Sequence, residues 1–462
     1  GERDPVRLAE HHEKGGAAAR AVGWWRRAAE QALAGSDLDA ALAHCERAVA
    51  AGAGAATLGA VRLIAAEAHD WRGEFARAEA AAVEALAWLE PRGDGRGELG
   101  WFAAAGILAT AAGVQGKRDV LDELAARLDR ELATLTEEGD APLVPEAFIP
   151  EEIVAATRLV EQLIIHGKAA AADELLARLA RGLSGPRTIG PVLAGRVHSA
   201  MALRARFGGD VAGNLVAVRT AVYCFEQAGD QRNACARRER LGYALLEIGD
   251  HEAAERLLSE AIAVATRLGL HLVVATARHN LGLTLARLHR FEEAEATERM
   301  AMETFRASGN RRMEGASQEY LALIRLEAGD VAGAERAARD ALAVASAEPV
   351  LPLNRAESNA ILARALLAAG RAGEALALAR AALEELEALG GIDDGEAIIR
   401  ITLAEALLAT GDVAAAAVAV GRARDRLLAR ADAISDPGLR SSFLGRVPEN
   451  ARTVALAAEL AA

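Results

Sequence analysis

The chain has 462 residues, of which 52% are hydrophobic and only 3% aromatic, and its formal net charge is −13. That length exceeds one ordinary compact core, so the chain is either several domains or an elongated array. A core so poor in aromatics must be built from Ala, Leu and Val, which suits closely packed helices. The acidic balance, with no clustered Lys or Arg, argues against a surface that grips nucleic-acid phosphates.

In chain order, residues 1–135 read as helical pairs. Ser36-Asp37 marks a first turn, Arg72-Gly73-Glu74-Phe75 a second and Gly116-Lys117-Arg118 a third. Ala78 and Ala85 follow the second turn at packing positions. Residues 136–151 contain Pro142, Pro145 and Pro150 and read as a loop. Residues 152–434 form a regular array of two-helix units, opened by a turn at Gly167-Lys168. Breaks at Gly209, Gly249, His289, Gly329, Gly370 and Gly411 fall 40, 40, 40, 41 and 41 residues apart. Gly ends one helix in the left-handed conformation, and an Asp such as Asp250 or Asp330 caps the next.

The register extends into the helices. Eight residues before each break stand Met201, Leu241, Leu281, Leu321, Leu362 and Leu403, each followed by Ala or Gly. Twelve residues after each break stands Ala, from Ala221 to Ala423. Large beside small lets the two helices of a unit approach closely. Residues 435–462 differ: Asp436-Pro437 and Pro448 start two short helices, expected to cap the open end of the stack. The fold class expected is therefore all-α, a solenoid of about ten helix pairs with a C-terminal capping helix.

Asn280-Leu281-Gly282, then Glu293-Ala294, then Ala301 resemble the tetratricopeptide repeat (TPR), whose pattern is Leu-Gly in the first helix and small residues in the second. The usual unit is 34 residues; these, at 40 to 41, are similar to the longer repeats of bacterial signalling ATPases. The resemblance implies a right-handed superhelix. Leu8-Ala9-Glu10-His11-His12, with Gly15-Gly16, Ala21-Val22 and Ala28-Ala29, resembles the junction where STAND-type ATPases pass into their repeats. Asp436-Pro437-Gly438-Leu439-Arg440-Ser441-Ser442-Phe443-Leu444, with Val447-Pro448-Glu449-Asn450, resembles the end of bacterial kinase–ATPase–TPR serine/threonine kinases. These resemblances imply a regulatory segment of a multidomain signalling protein, continuing upstream of Gly1. A small-molecule inducer sensor of a STAND-type activator is the alternative.

No catalytic site is expected. Gly113-Val114-Gln115-Gly116-Lys117-Arg118 and Gly167-Lys168-Ala169 lack the spacing or hydroxyl of a phosphate loop and read as turns. His11-His12-Glu13 and His251-Glu252 have no partner histidine four residues on, so no metal is expected, and no cofactor either. The three cysteines, Cys45, Cys224 and Cys235, form no disulfide framework and point to a reducing cytoplasm. No apolar run is long enough to cross a membrane.

What remains is a concave groove lined by the first helix of each pair. Arg240, Asn280 and Tyr320 hold one equivalent position in three consecutive units, Glu239, His279 and Glu319 the position before it, and Tyr243 lies close by. Equivalent positions on stacked units point the same way, so these seven are expected to form a polar inner stripe that binds a protein or peptide partner. They are expected to contribute little to helix packing.

Overall fold

The computed structural model describes residues 3–89, 99–134, 150–183, 189–348, 350–389 and 395–461. Among these every regular element is a helix, twenty-three in all. After α1 (Pro5–Lys14) come ten pairs. They are α2 (Ala18–Ala34) with α3 (Leu38–Ala50), α4 (Ala55–Arg72) with α5 (Phe75–Trp88), α6 (Leu99–Val114) with α7 (Arg118–Thr134), and α8 (Pro150–Ile165) with α9 (Ala169–Leu183). There follow α10 (Pro191–Phe207) with α11 (Val211–Gln227), α12 (Gln231–Glu247) with α13 (His251–Arg267), and α14 (His271–Arg287) with α15 (Phe291–Ala307). The last are α16 (Arg311–Glu327) with α17 (Val331–Ser346), α18 (Pro352–Ala368) with α19 (Ala372–Ala388), and α20 (Glu396–Ala409) with α21 (Val413–Asp432). Two short helices, α22 (Pro437–Gly445) and α23 (Pro448–Ala461), end the chain. The proposed loop at 136–151 lies outside the described residues up to 149, and α8 begins at Pro150.

The turns follow from local chemistry. Gly249 adopts φ 83°, and the Asp250 amide then donates back to the Leu245 carbonyl at 2.9 Å. The Asp330 carboxylate accepts the Gly333 amide at 2.8 Å and so caps α17. His289 holds the same left-handed position at φ 61°; His is among the few non-glycine residues that tolerate it. A second set of left-handed glycines, Gly229, Gly269 and Gly309, turns the chain from one pair into the next. From Gln231 to Glu327 the chain is thus a run of 17-residue helices broken every 20 residues. Each helix is about 25 Å long.

The chain divides into two compact units, residues 1–200 with 223–232 and 265–272, and residues 201–222 with 233–264 and 273–462. In the first, α6 is apolar all round and is correspondingly buried; a Cβ at Gly106 would stand 3.1 Å from the Ala155 backbone, which shows how closely α6 and α8 cross. An ion pair, Arg158 Nη1 to Asp70 Oδ2 at 2.8 Å, joins α8 to α4 with both side chains almost wholly covered. Gly116 and Gly167 are turn residues at φ 75° and 76°, as their sequence context implies.

In the second unit the alanines twelve residues past the breaks are the packing floor: Ala261, Ala301, Ala341 and Ala382 are fully buried. The small position before them admits the neighbouring helix. A Cβ at Gly242 would lie 2.6 Å from Leu258 Cγ, and one at Gly282 would lie 2.8 Å from Glu298 Oε2. The tail packs α23 onto α20 and α21 through Leu456 and Ala457 against Ile401, Ala404 and Val420. It also reaches far back along the sequence, to Gly249, Glu252 and Arg287.

Candidate functional site

The first helices of consecutive pairs in the second unit, α12, α14, α16 and α18, carry the polar row read from the sequence. The row does not stand in solvent. Glu239, His279, Asn280, Glu319 and Tyr243 are buried; Arg240 and Tyr320 are partly exposed. The expectation that these side chains contribute little to packing is therefore corrected. Consecutive first helices lie close enough for side chains one repeat apart to bond each other.

Asn280 Nδ2 donates to Glu239 Oε1 at 2.7 Å, linking α14 to α12. The His279 ring stacks on Tyr320 at 4.0 Å between centroids, linking α14 to α16. Ser358 Oγ donates to Glu319 Oε1 at 2.7 Å, linking α18 to α16. Each bond spans 39 to 41 residues of sequence, one repeat. The equivalent positions thus form a ladder between repeats, in which polar groups are buried because each finds a partner. Tyr243 is covered by Arg206, whose guanidinium lies 4.1 Å from the ring centroid. Arg240 keeps about 40% of its side chain in solvent, its Nε 3.4 Å from Glu239 Oε2.

Behind the ladder lies a group that the sequence reading missed. His279 Nδ1 is 2.8 Å from Oε1 of Glu298, which projects from α15 and is fully buried. Burial pushes the Glu298 carboxyl above its ordinary range, and His279 only partly offsets this. Gly282 makes the room for that carboxylate. The sequence signal was there in principle: Gly282 and Glu298 are 16 residues apart across a turn, but no periodic rule requires an acid at that place.

A second missed cluster surrounds Glu449, at the start of α23. Arg287 Nη2 is 3.2 Å from Glu449 Oε1, and Arg287 Nη1 also pairs with Glu327. Burial works to raise the Glu449 carboxyl, but Arg287 and Arg364 outweigh it and hold the group below its usual range. Glu327 moves the other way, raised by burial more than Arg287 can lower it, with Glu449 adding to the rise. His251, beside the same cluster, is lowered to about 4 by burial and by the charges of Arg446 and Arg287.

Among the described residues no group of three His, Cys, Asp or Glu side chains is placed to hold a metal. No helix among them is long and apolar enough to cross a membrane. The cysteines are free; Cys45 and Cys235 are buried, and Cys235 Sγ meets the Ala261 carbonyl at 3.5 Å.

Residues 232–307 match the family model of the tetratricopeptide repeat. No curated protein matches the chain in sequence. Among solved structures, the chain is similar to a Rap protein complexed with Competence and Sporulation Factor, at 12% identity and TM-score 0.52, over 79% of this chain and 100% of that one. It is also similar to NprR in complex with its cognate peptide NprX (13% identity, TM-score 0.48, 77% of this chain and 98% of that one). A further neighbour is the Cut9–Hcn1 hetero-tetramer of the APC/C (12% identity, TM-score 0.40, 95% of this chain and 96% of that one). At such identities the likeness to the Rap protein is one of fold. The fold is that of a TPR-type helical repeat solenoid.

Proposed function

We propose that the protein is a protein-interaction or regulatory sensor segment that binds a peptide or helix of a partner on the inner helices of its second unit, and that it carries no catalysis of its own. The observation that supports this is the row of equivalent first-helix positions, with Arg240 half-exposed and Tyr320 partly exposed beside a rigid, hydrogen-bonded ladder. A rigid wall with a few projecting groups holds a partner without having to order itself first. Arg supplies directed hydrogen bonds and Tyr a flat apolar face with a polar tip. The Rap protein, which shares the fold, is complexed with a factor of its own, and that agrees with a binding role.

The attachment to a STAND ATPase and serine/threonine kinase belongs to the same reading and rests on the terminal motifs. Several of their residues serve the local core: Ala9 of α1 and Ala21, Val22, Ala28 and Ala29 of α2 are buried, as is Phe443 of α22. The gene sequence upstream of Gly1 decides that part directly.

For the binding surface, the test is capture of a partner from the source cell followed by titration of wild type against Arg240→Ala/Tyr320→Ala. The expected result is at least a tenfold loss of affinity, about 1.4 kcal/mol. Full affinity in the double variant overturns this placement of the partner.

A further inference from the structure

His279 makes two contacts at once. Its Nδ1 lies 2.8 Å from Glu298 Oε1, and its ring lies flat on Tyr320, with 4.0 Å between centroids and 12° between planes. Phe305 meets the same ring edge-on at 6.2 Å. One imidazole therefore joins α14, α15 and α16, and it connects a fully buried acid to an aromatic ring that reaches solvent.

The acid is poorly served. Glu298 Oε2 is buried without a directed hydrogen bond and rests against Gly282, where a Cβ would be 2.8 Å away. The Ser317 hydroxyl of α16 favours the charged carboxyl, but less than burial opposes it, and among the described residues His279 is the one charge that counters it. An ionised carboxylate in such a place needs a cation beside it, and an imidazolium can be that cation. The other acids of the row have their own partners. Glu239 of α12 accepts from Asn280 and lies near Arg240, and Glu319 of α16 accepts from Ser358 of α18. The Tyr320 phenol lies within electrostatic reach of Arg287 of α14, which pairs with Glu327 of α16 and Glu449 of α23.

An imidazolium is attracted to the face of a phenol ring, and a neutral imidazole lacks that attraction. A coupled acid and imidazole gain or lose a proton as a pair. As pH rises and the pair gives up its proton, Glu298 keeps its charge without a counter-ion and the ring on Tyr320 loses its own.

We propose that the His279–Glu298 pair positions Tyr320 and makes the partner surface pH-sensitive: Tyr320 is held flat while the pair carries its proton and is released to turn when the proton leaves. This rests on the reading of Tyr320 as part of the partner surface and adds to it a means of regulation. His279 and Glu298 are buried and act through Tyr320.

The experiment uses the full chain with isotope-labelled tyrosine rings, followed by nuclear magnetic resonance. The chain has three tyrosines, Tyr223, Tyr243 and Tyr320, and Tyr320→Phe assigns the signal of the last. The titration runs from about pH 5.5 to 8.5, below the phenol's own range and above that of His251, which is lowered to about 4. The Tyr320 signal is expected to move with a single inflection, and the His279 ring, identified by its nuclear Overhauser contact to Tyr320, is expected to titrate with it. Tyr243, covered by Arg206, is expected to stay still and to report that the fold is kept. Glu298→Gln keeps an acceptor for Nδ1–H but removes the charge, so the inflection is expected to fall by at least about one pH unit, a tenfold loss of proton affinity. His279→Phe keeps a ring on Tyr320 and is expected to abolish the inflection. A flat Tyr320 signal in the wild-type chain, or a Tyr320 inflection at a pH other than that of the His279 ring, overturns the coupling and makes the pair a fixed joint. These readings are taken on the chain alone, so that outcome leaves the partner surface at Arg240 and Tyr320 to stand or fall by its own titration.

Discussion

Replacing Gly282 is the sharpest probe of how the repeats are held. A Cβ at this position lands 2.8 Å from Glu298 Oε2, 3.2 Å from Glu298 Cβ and 3.3 Å from the Ala294 carbonyl oxygen. The first of these yields only if the carboxylate swings away from its 2.8 Å bond to His279 Nδ1; the last is backbone of α15 and does not yield without moving the helix. Losing a buried hydrogen bond to a charged group costs about 1.5–3 kcal/mol. Overpacking adds about 1–3 kcal/mol, and the better helix propensity of Ala returns about 1 kcal/mol. Gly282→Ala is therefore expected to destabilise by about 1.5–5 kcal/mol, from the sum of these terms. Gly282→Leu, with three more carbons to place between α14 and α15, is expected to cost more. Glu293→Gln, at an exposed site paired with Arg290, is expected to leave the melt unchanged.

The assay is urea unfolding followed by far-UV circular dichroism, with hydrogen exchange of α14 and α15. Tryptophan fluorescence is silent on this unit, because all five tryptophans lie within the first 101 residues. A double-mutant cycle of Gly282→Ala with Glu298→Ala is expected to be less than additive by at least about 1 kcal/mol, since removing the carboxylate removes the clash. A Gly282→Ala chain that melts with or above wild type refutes the reasoning: helix propensity would then outweigh a close approach that is not there.

The remaining expectations concern the ladder and the pH response. Asn280→Ala removes the 2.7 Å donor to the buried Glu239 Oε1 and is expected to cost about 1–3 kcal/mol, whereas Arg240→Ala, which removes a longer contact from a half-exposed side chain, is expected to cost less; equal effects on the urea midpoint would show that the two side chains are not differently buried. His251 is held neutral in the folded chain down to about pH 4 against 6.5 in the unfolded one. Its folded value is depressed, so stability is full above 6.5 and falls as pH drops from 6.5 to 4 because the unfolded chain binds the proton first. The loss is expected to be about 2–3 kcal/mol, and His251→Gln is expected to flatten the midpoint-versus-pH curve across that window. A curve of unchanged slope there places the proton elsewhere.

What the sequence determined by itself is the repeat. A turn needs a residue that tolerates positive φ followed by a cap, and a close helix crossing needs Gly or Ala; both requirements are local and recur at fixed spacing. The breaks from Gly209 to Gly411 and the buried alanines from Ala221 to Ala382 were legible for that reason. Gly229, Gly269 and Gly309 obey the same rule at the turns between repeats and were readable from their own spacing of 40.

What only the tertiary structure decided is which polar side chains face each other. Periodicity puts Arg240, Asn280 and Tyr320 in one row, but it does not say whether the row faces water or the next helix. The packing of one repeat on the next brings Asn280 to Glu239 and His279 to Tyr320. The pairing of Arg287 with Glu449 lies further still beyond any local rule. Arg287 and Glu449 stand 162 residues apart and meet only once the intervening helices have packed, which no local spacing rule anticipates.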